Sequence, residues 1–233
     1  MVKYLVILLA CAAFVHGGYV KRCKAGDTKC AKESAQAAIP SFIAGIPEFG
    51  VHTLDPINIK KTDASSPNLN LIVSDYTFSG LKSCTPKKVK YDKEQSKVFL
   101  KLQCSGQLEG NYVMKGKLLF LPIEGKGPLH VTLNNAEFSI VLDIVDIEKN
   151  GVKYWDIKKW DMSYQLKGKS KVVFENLFNG NEVLAQAAIP VIEESGNEII
   201  LEVGSPIIHD GIKVIVDAVK NFFRNVPSSE LVE

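Results

Sequence analysis

Hydrophobic and polar positions alternate along the middle of the chain, from about Leu69 to Phe174, and then give way to an apolar, nearly loop-free tail from Asn181 to Val226. Period-two alternation sends successive side chains to opposite faces of a strand, so the middle predicts a half-buried sheet. A sheet of that length has an apolar face to cover, and the helical tail is the element available to cover it. The expectation is an α+β fold, a wrapper around a core, with room inside for a ligand.

The pattern also places individual elements. Ala31 to Ile43 predicts a short helix cut by Pro40 and released at Gly45-Ile46-Pro47. Leu54 to Ile59 predicts a first strand. Leu69, Leu71 and Val73 open the long sheet, and from Leu108 to Phe120 the residues Tyr112, Met114, Leu118 and Phe120 share one parity. Pro122 to Pro128, with Gly125 and Gly127, predicts a loop. The next run switches parity at Asn134-Asn135, a bulge signal, and Asn150-Gly151 is a type I′ hairpin cue because both residues tolerate positive φ. Trp160, Met162, Tyr164 and Leu166 continue the inward face. Long antiparallel strands joined by tight turns predict a strongly curled sheet. In the tail, Ile207, Ile208, Ile212, Ile215, Val216, Val219, Phe222 and Phe223 follow helical spacing, and Pro190, Gly204 and Pro206 predict interruptions.

The first residues read as a targeting segment. Lys3 precedes the apolar run Tyr4 to Val15, too short for a bilayer span and followed by His16-Gly17-Gly18, which together predict a secretory signal over residues 1–18. One domain over residues 19–233 follows, secreted and extracellular. Cys11 leaves with the signal, and Cys23, Cys30, Cys84 and Cys104 form an even set suited to an oxidising compartment. Cys23 and Cys30 enclose a short polar loop. Cys84 and Cys104 flank a turn at Asp92 to Gln95, but their parities differ, so a bridge between them requires a bulge, for which Pro86 is the candidate.

Charge and motifs narrow the function. The formal net charge of +2 lacks the basic stripe of a nucleic-acid binder, and Lys87, Lys88 and Lys90 read as a solvated strand edge. No Asn-x-Ser/Thr sequon occurs. No C-x₂-C pair is present and the four His are scattered, so no metal or cofactor is implied. There is no G-x-S-x-G or H-E-x-x-H, and His52, His130 and His209 stand far apart, so no catalytic residue is assigned and an enzyme is not expected.

Several motifs together carry a resemblance: Cys23 with Cys30, Gly45-Ile46-Pro47 before Leu54-Asp55-Pro56, Leu108-Glu109-Gly110-Asn111-Tyr112, Lys117 to Ile123 with Gly125-Lys126-Gly127, and Glu175-Asn176-Leu177-Phe178-Asn179-Gly180. In order and spacing they resemble the insect takeout and juvenile-hormone-binding protein family over the whole mature chain. The resemblance implies a strongly curved antiparallel sheet wrapped around a long C-terminal helix and enclosing an elongated hydrophobic cavity. The expected function is a secreted carrier of a terpenoid, fatty acid or polyprenoid; the competing expectation is a closed-core signalling or structural protein. Hormone-binding members carry a second bridge in the C-terminal half, whereas this chain has no Cys beyond Cys104. Inward parity and the helix stripe then nominate the cavity lining: Phe42, Leu71, Val73, Leu100, Leu118, Phe120, Phe138, Leu142, Trp160, Phe174, Ile192, Ile199, Ile215 and Phe222. The partner is thus a hydrophobic small molecule bound by a monomer, without nucleic acid and without insertion into a membrane.

Overall fold

The computed structural model describes residues 18–233. The secretory-signal reading of the first residues lies outside these, apart from Gly18.

Two very long strands, β4 (Lys97–Leu118) and β5 (Leu121–Lys149), form an antiparallel hairpin that runs the length of the molecule. Bulges interrupt it midway, where Asn134 and Asn135 face the single residue Ser105 and Asn135 takes a positive φ. The outer flanks of this hairpin are each shared by two shorter strands. β2 (Leu69–Ser79) and β3 (Thr85–Asp92) follow one another along β4, while β6 (Val152–Leu166) and β7 (Lys171–Phe174) follow one another along β5. β1 (Ile57–Asp63) pairs with β2 and completes seven strands in an open sheet.

The molecule therefore has two ends. At one, β3, the first half of β4, the second half of β5 and β6 lie side by side. α1 (Thr28–Ala44) packs against this end, capped by the Asp27 carboxylate, which accepts from the Cys30 amide at 2.9 Å. At the other are β1, β2, β7, the remaining halves of β4 and β5, and the helices α2 (Glu182–Glu194) and α3 (Gly196–Val203). α4 (Ser205–Asn225) lies between β1 and β6, the two edges of the path, and α5 (Ser228–Leu231) closes the chain.

α4 is held to both edges by neighbouring residues. His209 stacks on Trp160 of β6 with ring centroids 4.7 Å apart, and the Asp210 carboxylate accepts from Thr62 of β1. Further along, Lys220 donates to the Ile157 carbonyl and Arg224 grips Asp156 through two bonds of 2.8 Å. Its apolar stripe, with Ile208, Ile212, Val216 and Phe222, faces the concave side of the sheet.

Several expectations need correction. The tail is interrupted at Gly204, as expected, but the other break falls at Ser195 and not at Pro190, so three helices result; Gly196, where a Cβ would lie 2.2 Å from the Ser170 carbonyl oxygen, begins α3. Pro206 stands in the first turn of α4, just after the Gly204 break, where its missing N–H costs nothing. Pro40 and Pro190 leave α1 and α2 unbroken; each is on an exposed turn, where the carbonyl that loses its donor can face water. The first strand starts at Ile57, after Pro56, not at Leu54. Pro122 to Pro128 belongs to β5 and is not a loop. Its Gly125 is there for close approach: a Cβ would meet the Tyr112 hydroxyl at 2.7 Å. Asn150 and Gly151 both have positive φ and join β5 to β6 in a two-residue turn.

Candidate functional site

Between α1 and the sheet lies a chamber of about 300 Å³. Its roof is the inner face of α1, where Ala31, Ser34, Ala35, Ala38, Ile39 and Phe42 recur at helical spacing. The floor comes from Val98, Leu100 and Leu102 of β4 with Ile140 and Leu142 of β5. Pro86, Val89 and Tyr91 of β3 make one wall; Trp155 of β6 and Ile215, Val219, Phe222 and Phe223 of α4 make the other. Small residues on the roof explain the space: an Ala face allows the helix to sit over the sheet without filling the gap between them.

Segments near both ends of the described residues border the same chamber. Val20 and Cys23 meet Leu231 and Val232 there; the Cys23 amide donates to the Leu231 carbonyl, and the Glu233 amide donates to the Cys23 carbonyl. Disulfides join Cys23 to Cys30 and Cys84 to Cys104. The register of β3 on β4 shifts between Pro86 and Lys88, which brings Cys84 onto the face of Cys104. The same bulge turns Pro86, Val89 and Tyr91 inward and leaves Lys87 and Lys88 exposed.

The chamber is almost wholly apolar, and its few polar atoms differ in status. The Ser34 hydroxyl is spent on the Lys21 backbone, accepting from its amide and donating to its carbonyl. Trp155, 6% exposed, and the half-buried Tyr91 pack ring on ring at 4.6 Å, yet neither the indole N–H nor the Tyr91 hydroxyl bonds to a protein atom among the described residues. Neither atom is sealed in, since no fully buried side-chain N or O among the described residues lacks a partner. Burial, together with the carboxylates of Asp146 and Asp92, raises the Tyr91 pKa, so this hydroxyl stays protonated and can donate. Two unused donors in an apolar wall suit an oxygen acceptor on an otherwise greasy molecule.

The fourteen nominated residues separate into three groups. Phe42, Leu100, Leu142, Ile215 and Phe222 line the chamber. Leu71, Val73, Leu118, Phe138, Phe174, Ile192 and Ile199 are buried in the packed core and do not reach it. Trp160 is half-buried against His209, and Phe120 is 65% exposed. Phe120 is thus corrected: β4 ends at Leu118, and Leu119-Phe120 form the turn into β5, which breaks the parity that pointed Phe120 inward. Missed were the α1 face apart from Phe42, the β3 wall and Trp155. The α1 face was legible as an i, i+3, i+4, i+7, i+8, i+11 series starting at Ala31, but its Ala and Ser residues do not announce a lining.

Among the described residues no His, Cys, Asp or Glu cluster could hold a metal, and no helix is long and apolar enough to cross a membrane. His130 lies at the other end and on the surface, between the carboxylates of Glu109 and Glu175, which hold its pKa above the ordinary value. Tyr112, at that end too, donates to the Glu175 carbonyl, and burial pushes its pKa up to about 12.

A curled, open antiparallel sheet around a long helix, with an apolar chamber at one end, defines the class of elongated α+β proteins built around an internal apolar space. The chain belongs to the haemolymph juvenile hormone binding protein family, whose model matches residues 4–233. It is similar to the circadian clock-controlled protein daywake of Drosophila melanogaster, 28% identical over 228 residues, covering 92% of this chain and 87% of that protein. The Drosophila yakuba protein of the same name is 28% identical over 225 residues, covering 91% and 86%. The crystal structure of Epiphyas postvittana takeout 1 superposes with a TM-score of 0.87 at 26% identity and covers 92% of this chain and 100% of that one.

Proposed function

We propose that this protein is a secreted carrier that binds a small hydrophobic molecule in the chamber under α1. The observation that supports the reading most is the chamber: about 300 Å³, walled by apolar side chains from six elements, with two donors, on Trp155 and Tyr91, that have no partner among the described residues. That volume is at the lower end of small-molecule sites, which favours a terpenoid or an acyl chain over a long polyprenoid. Phe42, Leu100, Leu142, Ile215 and Phe222 are the proposed contacts among those nominated from sequence, joined by Ala38, Tyr91 and Trp155. The apolar body is held by contact, and its oxygen by Trp155 or Tyr91. Family membership is consistent with binding rather than catalysis, and nothing in the wall is arranged as a nucleophile beside a base.

Native mass spectrometry of the protein secreted from insect cells, before and after organic extraction, tests the reading. A carrier shows a mass excess that extraction removes. Ala38→Phe, which fills the roof, should lower the bound fraction at least tenfold while the melting temperature holds to within a few degrees. Full occupancy in that variant would place the ligand outside the chamber.

A further inference from the structure

The charge of the chain is unevenly spread, and the excess collects in two segments that help to line the chamber. Both are basic: residues 20–35, which include the first turns of α1, and residues 81–97, which include β3. Together they carry eleven Lys and Arg against four Asp and Glu, in a chain whose whole net charge is only +2. The segments are neighbours in space: α1 packs along β3, the Gly26 amide donates to the Tyr91 carbonyl at 3.2 Å, and both segments supply lining residues.

The four acids do little to cancel this excess. Asp27 is spent on the cap of α1, Asp92 pairs with Lys90 at 2.7 Å, and Glu33 and Glu94 are exposed and without an ion pair among the described residues. Lys97 is matched by Asp143. Nine cations are then left exposed and without an ion-pair partner among the described residues, Lys29, Lys32, Lys87 and Lys88 among them. The β3 bulge contributes directly, since it presents Lys87 and Lys88 to solvent in succession while Pro86 and Val89 turn into the chamber.

We propose that this basic collar is a docking surface for an anionic lipid bilayer, on which the protein loads or releases its ligand. The inference rests on the carrier reading for its purpose, but not for its charge. A bilayer of anionic lipid presents negative headgroups with an apolar layer behind them. The collar presents cations beside an apolar chamber, the complementary arrangement. An acidic protein or a nucleic acid would match the charge alone and would leave the chamber without a counterpart. Docking here is peripheral: the collar is held by charge at the headgroup level, and no segment inserts.

Flotation of the full protein with vesicles of phosphatidylcholine, with and without 30% phosphatidylserine, tests the surface. Binding should require the anionic lipid and fall steeply between about 0.1 and 0.5 M NaCl as screening shortens. The variant Lys29→Gln, Lys32→Gln, Lys87→Gln, Lys88→Gln changes only exposed side chains outside the chamber wall. It should weaken binding about a hundredfold, at roughly a few-fold for each cation lost, with circular dichroism and melting unchanged. A control variant, Lys167→Gln, Lys169→Gln, Lys171→Gln, should bind as the parent does. No binding at low salt, equal loss in both variants, or binding to DNA as tight as to the vesicles would each overturn the proposal. A separate arm follows a fluorescent terpenoid: vesicle binding without terpenoid binding counts against the carrier reading and leaves the docking surface standing, whereas terpenoid binding without vesicle binding does the reverse.

Discussion

The two ends of the tube are built from the same two strands and differ in what fills them. Under α2 and α3, large side chains meet: Tyr112 packs edge-on against Phe174 at 4.9 Å, beside Met114, Leu118, Ile192 and Ile199, all nearly sealed from solvent. Under α1, the facing helix contributes Ala31, Ser34, Ala35 and Ala38, and the sheet faces a space instead of a partner. Alternation in β4 and β5 is the same at both ends. What differs is side-chain volume on the opposing helix, so one end carries stability and the other has capacity.

That division can be attacked directly. The largest effect should come from Phe174→Ala at the packed end, about 3–5 kcal/mol by chemical denaturation, because a tightly surrounded ring leaves a cavity that cannot collapse. Leu100→Ala, beside an existing space, should cost about 2 kcal/mol, near the bottom of the range for such truncations. Equal costs would erase the distinction between the ends.

Trp155→Phe keeps the ring and removes the N–H at the chamber end. Affinity for a terpenoid methyl ester should drop about five- to tenfold, the contribution of one hydrogen bond, while affinity for the matching hydrocarbon stays the same. A parallel loss for both would mean that the ring's packing, not its N–H, matters.

The smallest effect belongs to His130, on the surface of the packed end. Hydrogen bonds first to Glu109 and then to Glu175 raise its pKa, so the folded state favours the protonated ring. That contribution is complete below the ordinary histidine value of about 6.5 and disappears as pH rises through the raised one. The melting temperature should therefore decline by roughly 1–2 °C over that window, as befits an exposed pair, and His130→Gln should flatten the decline without altering ligand affinity.

How much of this was legible beforehand depended on whether the signal was local. The Asn150-Gly151 turn, the Asn134-Asn135 bulge and the bulge at Pro86 are set by residues that favour those backbone shapes, and each can be read in place. Pro122 to Pro128 misled, because Gly125 and Gly127 there serve close approach of the segment after β7 rather than a turn. Phe120 misled because a two-residue turn at Leu119-Phe120 ends the strand without any Gly or Asn to mark it. The chamber itself was hardest to see. Parity identifies Leu71, Leu100 and Leu142 alike as inward, and only the residues facing them decide between wall and core. For Leu100 and Leu142 the decision lies with the alanines of α1, more than sixty positions away in the chain.

The placement of α4 has a bearing on how copies of this protein behave toward one another. An open sheet leaves unpaired backbone along its outermost strands, and such strands recruit further strands into fibrous assemblies. Here His209 and Asp210 hold the helix across the gap between β6 and β1, and the outward positions carry Lys158 and Lys159 on one strand and Lys60 and Lys61 on the other. An incoming strand meets a helix and exposed lysines in place of a free template. The helix that supports the interior thus also covers the edges that would otherwise be open to strand addition.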